Sequence, residues 1–206
     1  MEMANPMILP TEELIRRRIE TSIGVKQKLI EQAHLLAQVA EVLIKAYQGG
    51  KKVLLFGNGG SAADAQHIAA ELVGKYYLDR KPLPAEALTV NTSSLTAIGN
   101  DYAFEQMFAR QVEALGNEGD VVVGISTSGN SPNVIEGVRA AKRKGMITVG
   151  LTGVDGGCLK DQVDYCLCVP SKDTPRIQET HILIGHILCE LVEQALFFRE
   201  NTSSRL

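Results

Sequence analysis

Two short loops rich in glycine and hydroxylated side chains are the positions in this sequence best suited to hold a ligand. The first covers residues 57–61 and follows the apolar run 53–56, and the second covers residues 126–131 and follows the apolar run 121–125. A helical pattern begins after each loop. A loop that joins a buried strand to a helix directs backbone N–H groups and the positive end of the helix dipole at one point, which suits an anion such as phosphate. Two such loops predict a phosphorylated small molecule bound by a parallel α/β sheet.

The first loop also matches, loosely, the Gly-x-Gly-x-x-Gly/Ala pattern of dinucleotide-binding folds, through residues 57–62. A nicotinamide site needs in addition an acidic residue about 20 positions later, at the end of the next strand, to hold the ribose. Residues 88–92 offer no acid there. Asn58 and Ser61 can instead hydrogen-bond hydroxyl groups. The loop therefore favours a polyol phosphate, and we expect no nucleotide cofactor.

The second loop concentrates hydroxyl groups at the carboxyl end of a predicted strand. These groups belong to Ser126, Thr127, Ser128 and Ser131. Ser131 precedes Pro132, and the two form a favourable N-cap and N1 pair, so a plain capped helix with a polar turn is one interpretation. Three successive hydroxyls exceed what capping requires. We therefore favour a phosphate cradle, in which the hydroxyls and the N–H groups of the first helical turn satisfy a dianion without Arg or Lys.

His67 and Glu71 are candidates for acid–base chemistry or for metal binding. They are four residues apart on the helix that leaves the first loop, so they share one helix face. Such a pair is often only a solvated surface pair. Its place on a helix that begins at a predicted anion site favours a functional role, and an imidazole and a carboxylate one turn apart can give two metal ligands.

The closing helical segment carries two further histidines and a glutamine. His186 lies within an apolar stretch, which is typical of a core histidine, and His181 is its rival; the sequence does not rank them. Gln178 and His186 are eight residues apart, a rise of about 12 Å and an angular offset of about 80° on one helix. Both can reach one ligand only if Gln178 precedes the regular helix or if they serve sites in different subunits. We expect a site at a subunit interface.

A long helical region precedes the α/β alternation. Apolar residues recur at three- and four-residue steps over residues 11–48, and Gly49 and Gly50 end the pattern. This wide apolar face either only covers the sheet or also packs against another subunit. We assign residues 1–50 to a helical region that packs on the sheet and at a subunit interface.

Strand and helix patterns alternate through the rest of the chain. Strands are predicted at 53–56, 87–90, 121–125, 147–151 and 165–169, and helices near 61–74, 93–98, 103–115, 132–144 and 176–198. This alternation predicts one α/β domain over 51–200, with a central, mostly parallel five-stranded sheet of the flavodoxin-like or Rossmann-like type and helices on both faces. We predict a frayed tail at 201–206.

Composition limits the class of protein. The chain has 206 residues, 45% of them hydrophobic and 22% charged, and a formal net charge of −3, as in ordinary soluble domains and unlike non-specific nucleic-acid binders. Its four cysteines lack zinc-finger spacing, and we predict reduced thiols. The sequence shows no signal peptide and no apolar run of about 18 residues, so we expect a cytoplasmic protein without membrane or nucleic-acid partners.

Several of these motifs together resemble those of a known family over nearly the whole chain. The motifs are Gly57-Asn58-Gly59-Gly60-Ser61, His67-x-x-x-Glu71, Gly99-Asn100-Asp101, Gly124-Ile125-Ser126-Thr127-Ser128-Gly129-Asn130-Ser131, and Arg176-Ile177-Gln178-Glu179 followed by His186. The chain is similar to the SIS (sugar isomerase) domain family, and within it to the branch that acts on seven-carbon sugar phosphates. The resemblance implies a homotetramer with active sites between subunits. It also implies interconversion of D-sedoheptulose 7-phosphate and D-glycero-D-manno-heptose 7-phosphate, the first step of ADP- or GDP-heptose synthesis.

The resemblance assigns roles to residues of this sequence. Glu71 and His186 match an acid–base pair. The matching substrate contacts are Asn58, Gly59, Gly60, Ser61, Glu71, Asn100, Asp101, Ser126, Thr127, Ser128, Ser131 and Gln178. The residues that match a Zn²⁺ site, one per subunit, are His67, Glu71, Gln178 and His186. Lys75 stands where some relatives have arginine, which we expect to change a substrate or surface charge contact and not the chemistry.

Three other functions fit the same motifs. One is a regulatory protein like the DnaA initiator-associating members of the family, which act through protein contacts and have no need of the Glu71–His186 pair. Another is a sugar-phosphate sensor of a transcription regulator, although the first 48 residues show a long helix and no basic helix-turn-helix. The last is an isomerase of another phosphosugar, a pentose or a hexose phosphate, because sequence alone does not give the depth of the site.

Overall fold

Five parallel strands form one sheet in a computed structural model that describes residues 10–198. The strands are β1 (Val53–Gly57), β2 (Ala85–Ala87), β3 (Val121–Ile125), β4 (Ile147–Thr152) and β5 (Tyr165–Cys168), in the spatial order β2-β1-β3-β4-β5. This is the flavodoxin-like order, so the predicted sheet is confirmed. The order reverses between β1 and β3, which pair in a register that places Gly57 opposite Ile125. The two loops that follow these strands therefore lie side by side, at the position where open α/β sheets bind ligands.

Seven α-helices accompany the sheet among the described residues. They are α1 (Thr11–Leu29), α2 (Ala33–Gln48), α3 (Gly60–Val73), α4 (Thr92–Asp101), α5 (Met107–Leu115), α6 (Pro132–Arg143) and α7 (Thr174–Phe197). The apolar faces of α1, α2, α3 and α7 form one core with one side of the sheet, and α5 and α6 form a second core with the other side. Strands β1 and β3 are buried along their whole length because helices cover both faces. The predicted tail at 201–206 lies outside the described residues.

The predicted N-terminal helix contains one 3₁₀ turn, Ile30–Gln32, between α1 and α2. At this turn the Gln32 side chain pairs with the backbone of Cys168 on the outer edge of β5. Gln32 Nε2 donates to Cys168 O at 2.6 Å, and Cys168 N donates to Gln32 Oε1 at 3.2 Å. The side-chain amide thus satisfies backbone groups that an edge strand would otherwise leave unpaired. As predicted, the helix ends at glycines, with Gly50 in the left-handed region at φ 69°.

The second strand lies earlier than its predicted position at 87–90. Residues 85–87 pair with β1, and the chain then turns away. Asn91 explains the difference, because its Oδ1 accepts a hydrogen bond from Ser94 N at 3.0 Å and so caps α4. An N-cap at position 91 leaves no length for a strand through residue 90.

Helix α7 is long and apolar enough to cross a membrane by length and composition alone, but its surroundings are those of a core helix. It packs along α3 and α2, and 44% of its apolar window is buried inside the protein. Its buried face also carries Glu193. The length and hydropathy of α7 therefore follow from its position between two helices and the sheet.

A buried ion pair holds the end of α3 against α7. Glu193 and Arg80 meet at 3.0 Å with 2% of each side chain exposed. Glu193 also accepts hydrogen bonds from three successive backbone N–H groups, at residues 76–78. Arg80 donates to the carbonyls of Glu71 and Leu72 at 2.9 and 2.8 Å. Burial by itself raises the pKa of Glu193, but the three N–H donors and Arg80 outweigh burial and lower it.

We predict that Glu193→Gln lowers the free energy of unfolding by about 3 kcal/mol at pH 7, because it leaves Arg80 buried without its counter-charge. Since folding lowers the pKa of Glu193, its contribution is present above the unfolded-state pKa of about 4.3 and is lost as pH falls below it. Urea titrations from pH 7 to pH 3 should show this loss in the wild type and a flatter acid limb in the variant. Glu41→Gln, in an exposed pair with Lys45, is the control. An equal effect of both changes would contradict the assignment.

Candidate functional site

The two glycine- and hydroxyl-rich loops are tied to each other by a pair of amide side chains. Asn58 Nδ2 donates to Asn133 Oδ1 at 2.9 Å, and Asn133 Nδ2 donates to Asn58 Oδ1 at 2.8 Å. Asn133 is fully buried, in the first turn of α6. Sequence reasoning missed Asn133; an amide directly after the Ser131-Pro132 helix start was the available signal. The reciprocal pair fixes the spacing between the two predicted anion-binding loops.

The hydroxyl groups of the second loop face one another. Ser126 Oγ lies 2.9 Å from Ser131 Oγ and 3.5 Å from Ser128 Oγ. Ser131 occupies the N-cap position of α6 and Pro132 follows at its start, as the sequence indicates, but the Ser131 side chain makes no capping hydrogen bond. The Ser131 hydroxyl is held by Ser126 instead. This arrangement concentrates hydroxyls at the amino end of α6, where the helix dipole favours a negative charge.

A cavity of about 310 Å³ opens beside this cluster and contains two charged residues that sequence reasoning missed. Thr127 and Ser128 line it from the second loop, and Asp155 and Lys172 line it from the loops after β4 and β5. Lys172 Nζ and Asp155 Oδ2 form an exposed ion pair at 3.2 Å. Their distance along the sequence gave no signal that they meet here.

Gly129 holds the second loop in close contact with the chain after β4. Its φ is 67°, and a Cβ at this position would lie 2.0 Å from Gly156 O. Leu159 N donates to Gly129 O at 2.9 Å, and Cys158 N donates to Asn130 Oδ1 at 2.9 Å. Only glycine combines this backbone conformation with such a close approach.

A cluster of three potential metal ligands lies between α3 and α7. Its members are His67, Glu71 and His186. His67 Nε2 lies 3.2 Å from Glu71 Oε1 and 3.4 Å from His186 Nε2. The three potential ligand atoms lie within 4.8 Å of one another. Two imidazole nitrogens and one carboxylate oxygen are a donor set that suits Zn²⁺. The predicted His67–Glu71 pair thus has a third member, contributed by α7.

Gly185 allows α7 to approach α3 closely enough for this cluster to form. A Cβ at Gly185 would lie 2.5 Å from Ile68 Cγ1, so a larger residue would force the Ile68 side chain or the helices to move. The next residue along α7 is His186, and the residue before Ile68 is His67. Sequence reasoning missed Gly185, although a glycine inside an apolar helix often marks close packing.

The structure distinguishes the two histidines that the sequence could not rank. His181 is fully buried, and its Nε2 lies 3.0 Å from the carbonyl oxygen of Thr152. Burial lowers the pKa of His181 to about 4, which the hydrogen bond to Thr152 only partly opposes. His181 is therefore a neutral core residue, and His186 is the histidine that reaches the cluster.

Gln178 lies inside α7, so the possibility that it precedes the regular helix is excluded. Its side chain packs on Gly60 at the start of α3, where a Cβ would lie 2.5 Å from Gln178 Nε2. Gly60 and His67 are separated by a rise of about 10 Å along α3. Within this chain Gln178 therefore adjoins the first loop and does not join the cluster of His67, Glu71 and His186.

The remaining predicted site residues occupy two different environments. Ser61 is buried beneath the first loop, whereas Gly59 and Gly60 are exposed. Asn100 and Asp101 are exposed at the end of α4, where Asn100 Nδ2 donates to Asp101 Oδ1 at 2.8 Å. No hydrogen bond among residues 10–198 connects this last pair to the loops or to the histidine cluster.

Comparison with known proteins shows the family that the sequence motifs resemble. Residues 20–153 match the model of the SIS domain. The phosphoheptose isomerase of Aneurinibacillus thermoaerophilus is 56% identical, over 90% of this chain and 95% of the relative. That of Geobacter metallireducens is 62% identical, over 89% and 95%. The structure of phosphoheptose isomerase GmhA from Neisseria gonorrhoeae superposes with a TM-score of 0.86 at 46% identity, over 90% of this chain and 100% of that one.

We predict that Gly129→Ala both destabilises the protein and weakens its binding of phosphorylated ligands, because a Cβ would collide with Gly156 O and force the second loop to move. Thermal unfolding should show a clear loss of stability, and calorimetric titration with inorganic phosphate should show at least a tenfold weaker affinity. Gly24→Ala is the control, since a Cβ there meets nothing within 4 Å. Unchanged phosphate binding by folded Gly129→Ala would show that the loop does not hold the anion.

Proposed function

We propose that this chain, which belongs to the SIS domain family, is a phosphoheptose isomerase that interconverts D-sedoheptulose 7-phosphate and D-glycero-D-manno-heptose 7-phosphate. Relatives with that name match it at 52–62% identity. The observation that carries the proposal is the cluster of Glu71, His67 and His186, which provides a carboxylate and an imidazole at one point. The cluster lies further along α3, the helix that begins at the first of the two loops suited to a phosphate.

The reaction needs two kinds of proton transfer. A ketose becomes an aldose when a proton leaves C1 and a proton is returned to C2 through an enediol, while the hydroxyl proton moves between O2 and O1. We assign the carbon-bound proton to Glu71, which takes it from C1 and returns it to C2. We assign the oxygen-bound proton to His186, because imidazole can both donate and accept near neutral pH.

The rest of the site positions the sugar for these transfers. The phosphate fits the hydroxyl cluster of Ser126, Ser128 and Ser131 at the amino end of α6, with Thr127 beside it. Asn58, Gly59, Gly60 and Gln178 fit contacts with the sugar hydroxyls between that cluster and the acid–base pair. Phosphate binding can hold the reacting carbons still without taking part in the chemistry. Asn100 and Asp101 belong to the same proposal as substrate contacts contributed from α4.

A Zn²⁺ ion fits the donor atoms of His67, Glu71 and His186. When bound, the metal can polarise sugar oxygens or stabilise the resting site. It would also compete for the lone pairs with which Glu71 and His186 move protons. Because Gln178 of the same chain packs on Gly60, it fits a substrate contact, and a metal-binding role for Gln178 requires a different subunit. We propose one metal site per subunit.

The N-terminal helices support a homotetramer with active sites at subunit interfaces. An apolar stripe runs along α1, where Ile15, Ile19 and Ile23 are 50–57% exposed. An apolar groove of about 390 Å³ between α1, α2 and α7 continues this surface and is lined by Leu29, Ile30 and other residues. Such extended apolar exposure is typical of surfaces that another subunit covers. We further propose that the enzyme works in the cytoplasm.

We predict that Glu71→Gln and His186→Gln each abolish turnover of sedoheptulose 7-phosphate and retain its binding, because the amides preserve shape but cannot transfer these protons. NMR should follow the aldoheptose phosphate, with and without chelator, and calorimetry should measure binding. Glu86→Gln and His34→Gln, both exposed in the monomer, are the matched controls and should remain active. Turnover by either site variant would defeat its assignment. Absence of turnover in the folded wild type would favour the regulatory function.

We predict that the double change Ile19→Glu and Ile23→Glu separates the subunits, because it places charges on the exposed stripe of α1. Sedimentation should show a tetramer in the wild type and smaller species in the variant, with turnover lost in parallel. Glu20→Gln, on an exposed position of the same helix, is the control. A wild type that sediments as a fully active monomer would contradict the interface proposal and leave the isomerase proposal intact.

A further inference from the structure

Two cysteines on the edge strand β5 point away from the candidate functional site. Cys166 and Cys168 are two residues apart, so their side chains leave the same face of the strand. Leu167, between them, packs into the core that α1, α2, α3 and α7 share with the sheet. The two thiols therefore lie on the opposite face of the sheet from the helices that carry the histidine–glutamate cluster.

The sulfur atoms of these two cysteines are close enough to interact directly. Cys166 Sγ lies 3.6 Å from Cys168 Sγ. Thr152 Oγ1, on the neighbouring strand β4, lies 3.4 Å from Cys168 Sγ and 3.6 Å from Cys166 Sγ. Both cysteines are free thiols and are partly accessible to solvent. A hydroxyl group and a second thiol thus converge on one accessible sulfur atom.

These neighbours favour the thiolate form of one cysteine of the pair. A hydrogen bond from the Cys166 thiol lowers the pKa of Cys168 to about 6, against the effect of burial, and the Thr152 hydroxyl and the Lys160 ammonium group act in the same direction. The same hydrogen bond and burial raise the pKa of Cys166, which therefore keeps its proton. The thiolate is the nucleophilic form of cysteine, and accessible thiolates beside a second cysteine are typical sites of oxidation.

We propose that Cys166 and Cys168 form an oxidation site for hydroperoxides, in which Cys168 is the attacking residue and Cys166 the resolving residue. The Cys168 sulfur attacks the O–O bond of the peroxide, takes one oxygen as a sulfenic acid, and releases the other as water or an alcohol. The Cys166 sulfur then displaces the sulfenic oxygen as water and forms an S–S bond. The two thiols lose two electrons and two protons in all, the peroxide gains them, and a reducing thiol reverses the change.

Closure of this disulfide would bend β5. Side chains two residues apart on a strand are separated by about 6.6 Å, whereas the Cβ atoms of a disulfide lie about 3.8 Å apart, so the strand must contract by about 3 Å. On its outer edge, Cys168 is held through its backbone N and O by the Gln32 side chain. We expect oxidation to break these two hydrogen bonds and to release the 3₁₀ turn Ile30–Gln32 from the sheet.

Treatment of the reduced, full-length protein with hydrogen peroxide and a chelator tests the site, with peptides mapped by mass spectrometry. We expect the peptide that contains Cys166 and Cys168 to lose the mass of two hydrogen atoms, and dithiothreitol to restore it. This oxidation should be several-fold faster than that of Cys158, an exposed free thiol that serves as the internal control. The reason is that Cys168 has both an activating donor and a resolving thiol within reach.

Conservative variants separate the roles of the two cysteines. In Cys166→Ser, Cys168 should stop at the sulfenic acid, which dimedone captures, and in Cys168→Ser, Cys166 should stay reduced. Thr152→Val should slow the oxidation, because it removes the hydroxyl beside Cys168. Cys158→Ser is the matched control and should form the disulfide at the wild-type rate. Circular dichroism and thermal unfolding of the reduced variants identify any that fails to fold, and either folded cysteine variant is sufficient.

Hydrogen exchange measures the bending of β5. We expect faster amide exchange over residues 165–168 after oxidation, and the same change in reduced Gln32→Ala. Gln38→Ala, at an exposed position of α2, is the control and should leave the exchange unchanged. Unchanged exchange in the oxidised protein would overturn the link to Gln32. A peptide that keeps its mass, or oxidation of the pair no faster than that of Cys158, would overturn the oxidation site itself. Neither readout uses isomerase turnover, so the two proposals fail separately.

Discussion

The close parallel packing of α3 against α7 is the constraint on which the candidate site depends. Gly185 lets the two helices meet at Ile68. About two turns earlier along both helices, Gly60 leaves room for the Gln178 side chain. Because the two helices run in the same direction, their contacts follow the same order along both. Gln178 packs at the first loop, and His186, further along α7, contacts His67, further along α3. A bulky side chain at Gly185 would move His186 away from His67 and Glu71, the pair that α3 contributes to the proposed site.

The sheet supplies the second half of the site through its topology. The reversal of strand order between β1 and β3 places two strand-to-helix loops next to each other, and the reciprocal amide pair of Asn58 and Asn133 fixes their spacing. The hydroxyls of Ser126 and Ser131 lie 2.9 Å apart and hydrogen-bond to each other. In the proposed function the loops hold the phosphate and the helices carry the proton-transfer groups, so binding and chemistry are separated along α3.

Charged groups buried in this fold have different tasks. Glu193 and Arg80 are fully satisfied and hold the carboxyl end of α3, including the carbonyl of Glu71. Asp64, in contrast, has a buried Oδ2 atom with no hydrogen-bond partner in the described part of the chain, one turn of α3 before His67. Satisfied buried charge stabilises and orients the scaffold, whereas an unsatisfied group near a site retains the capacity to accept a proton or hydrogen bond during function.

Local patterns in the sequence were sufficient for the strands, the loops and the helix face of His67 and Glu71, because apolar periodicity and small-residue loops act over a few residues. They also sufficed for the α/β class and for the resemblance to the SIS family, now shown by direct comparison. The apolar pattern predicted the second strand at 87–90, later than its observed position at Ala85–Ala87, because Asn91 caps α4 and leaves no length for a strand through residue 90. The residues themselves did not rank His181 and His186, because both lie in one apolar helix and differ only in which neighbour they face. The family resemblance indicated His186, and the tertiary structure gave the physical reason. The tertiary structure alone revealed Asn133 and Gly185, whose roles arise from contacts between elements that are distant in sequence.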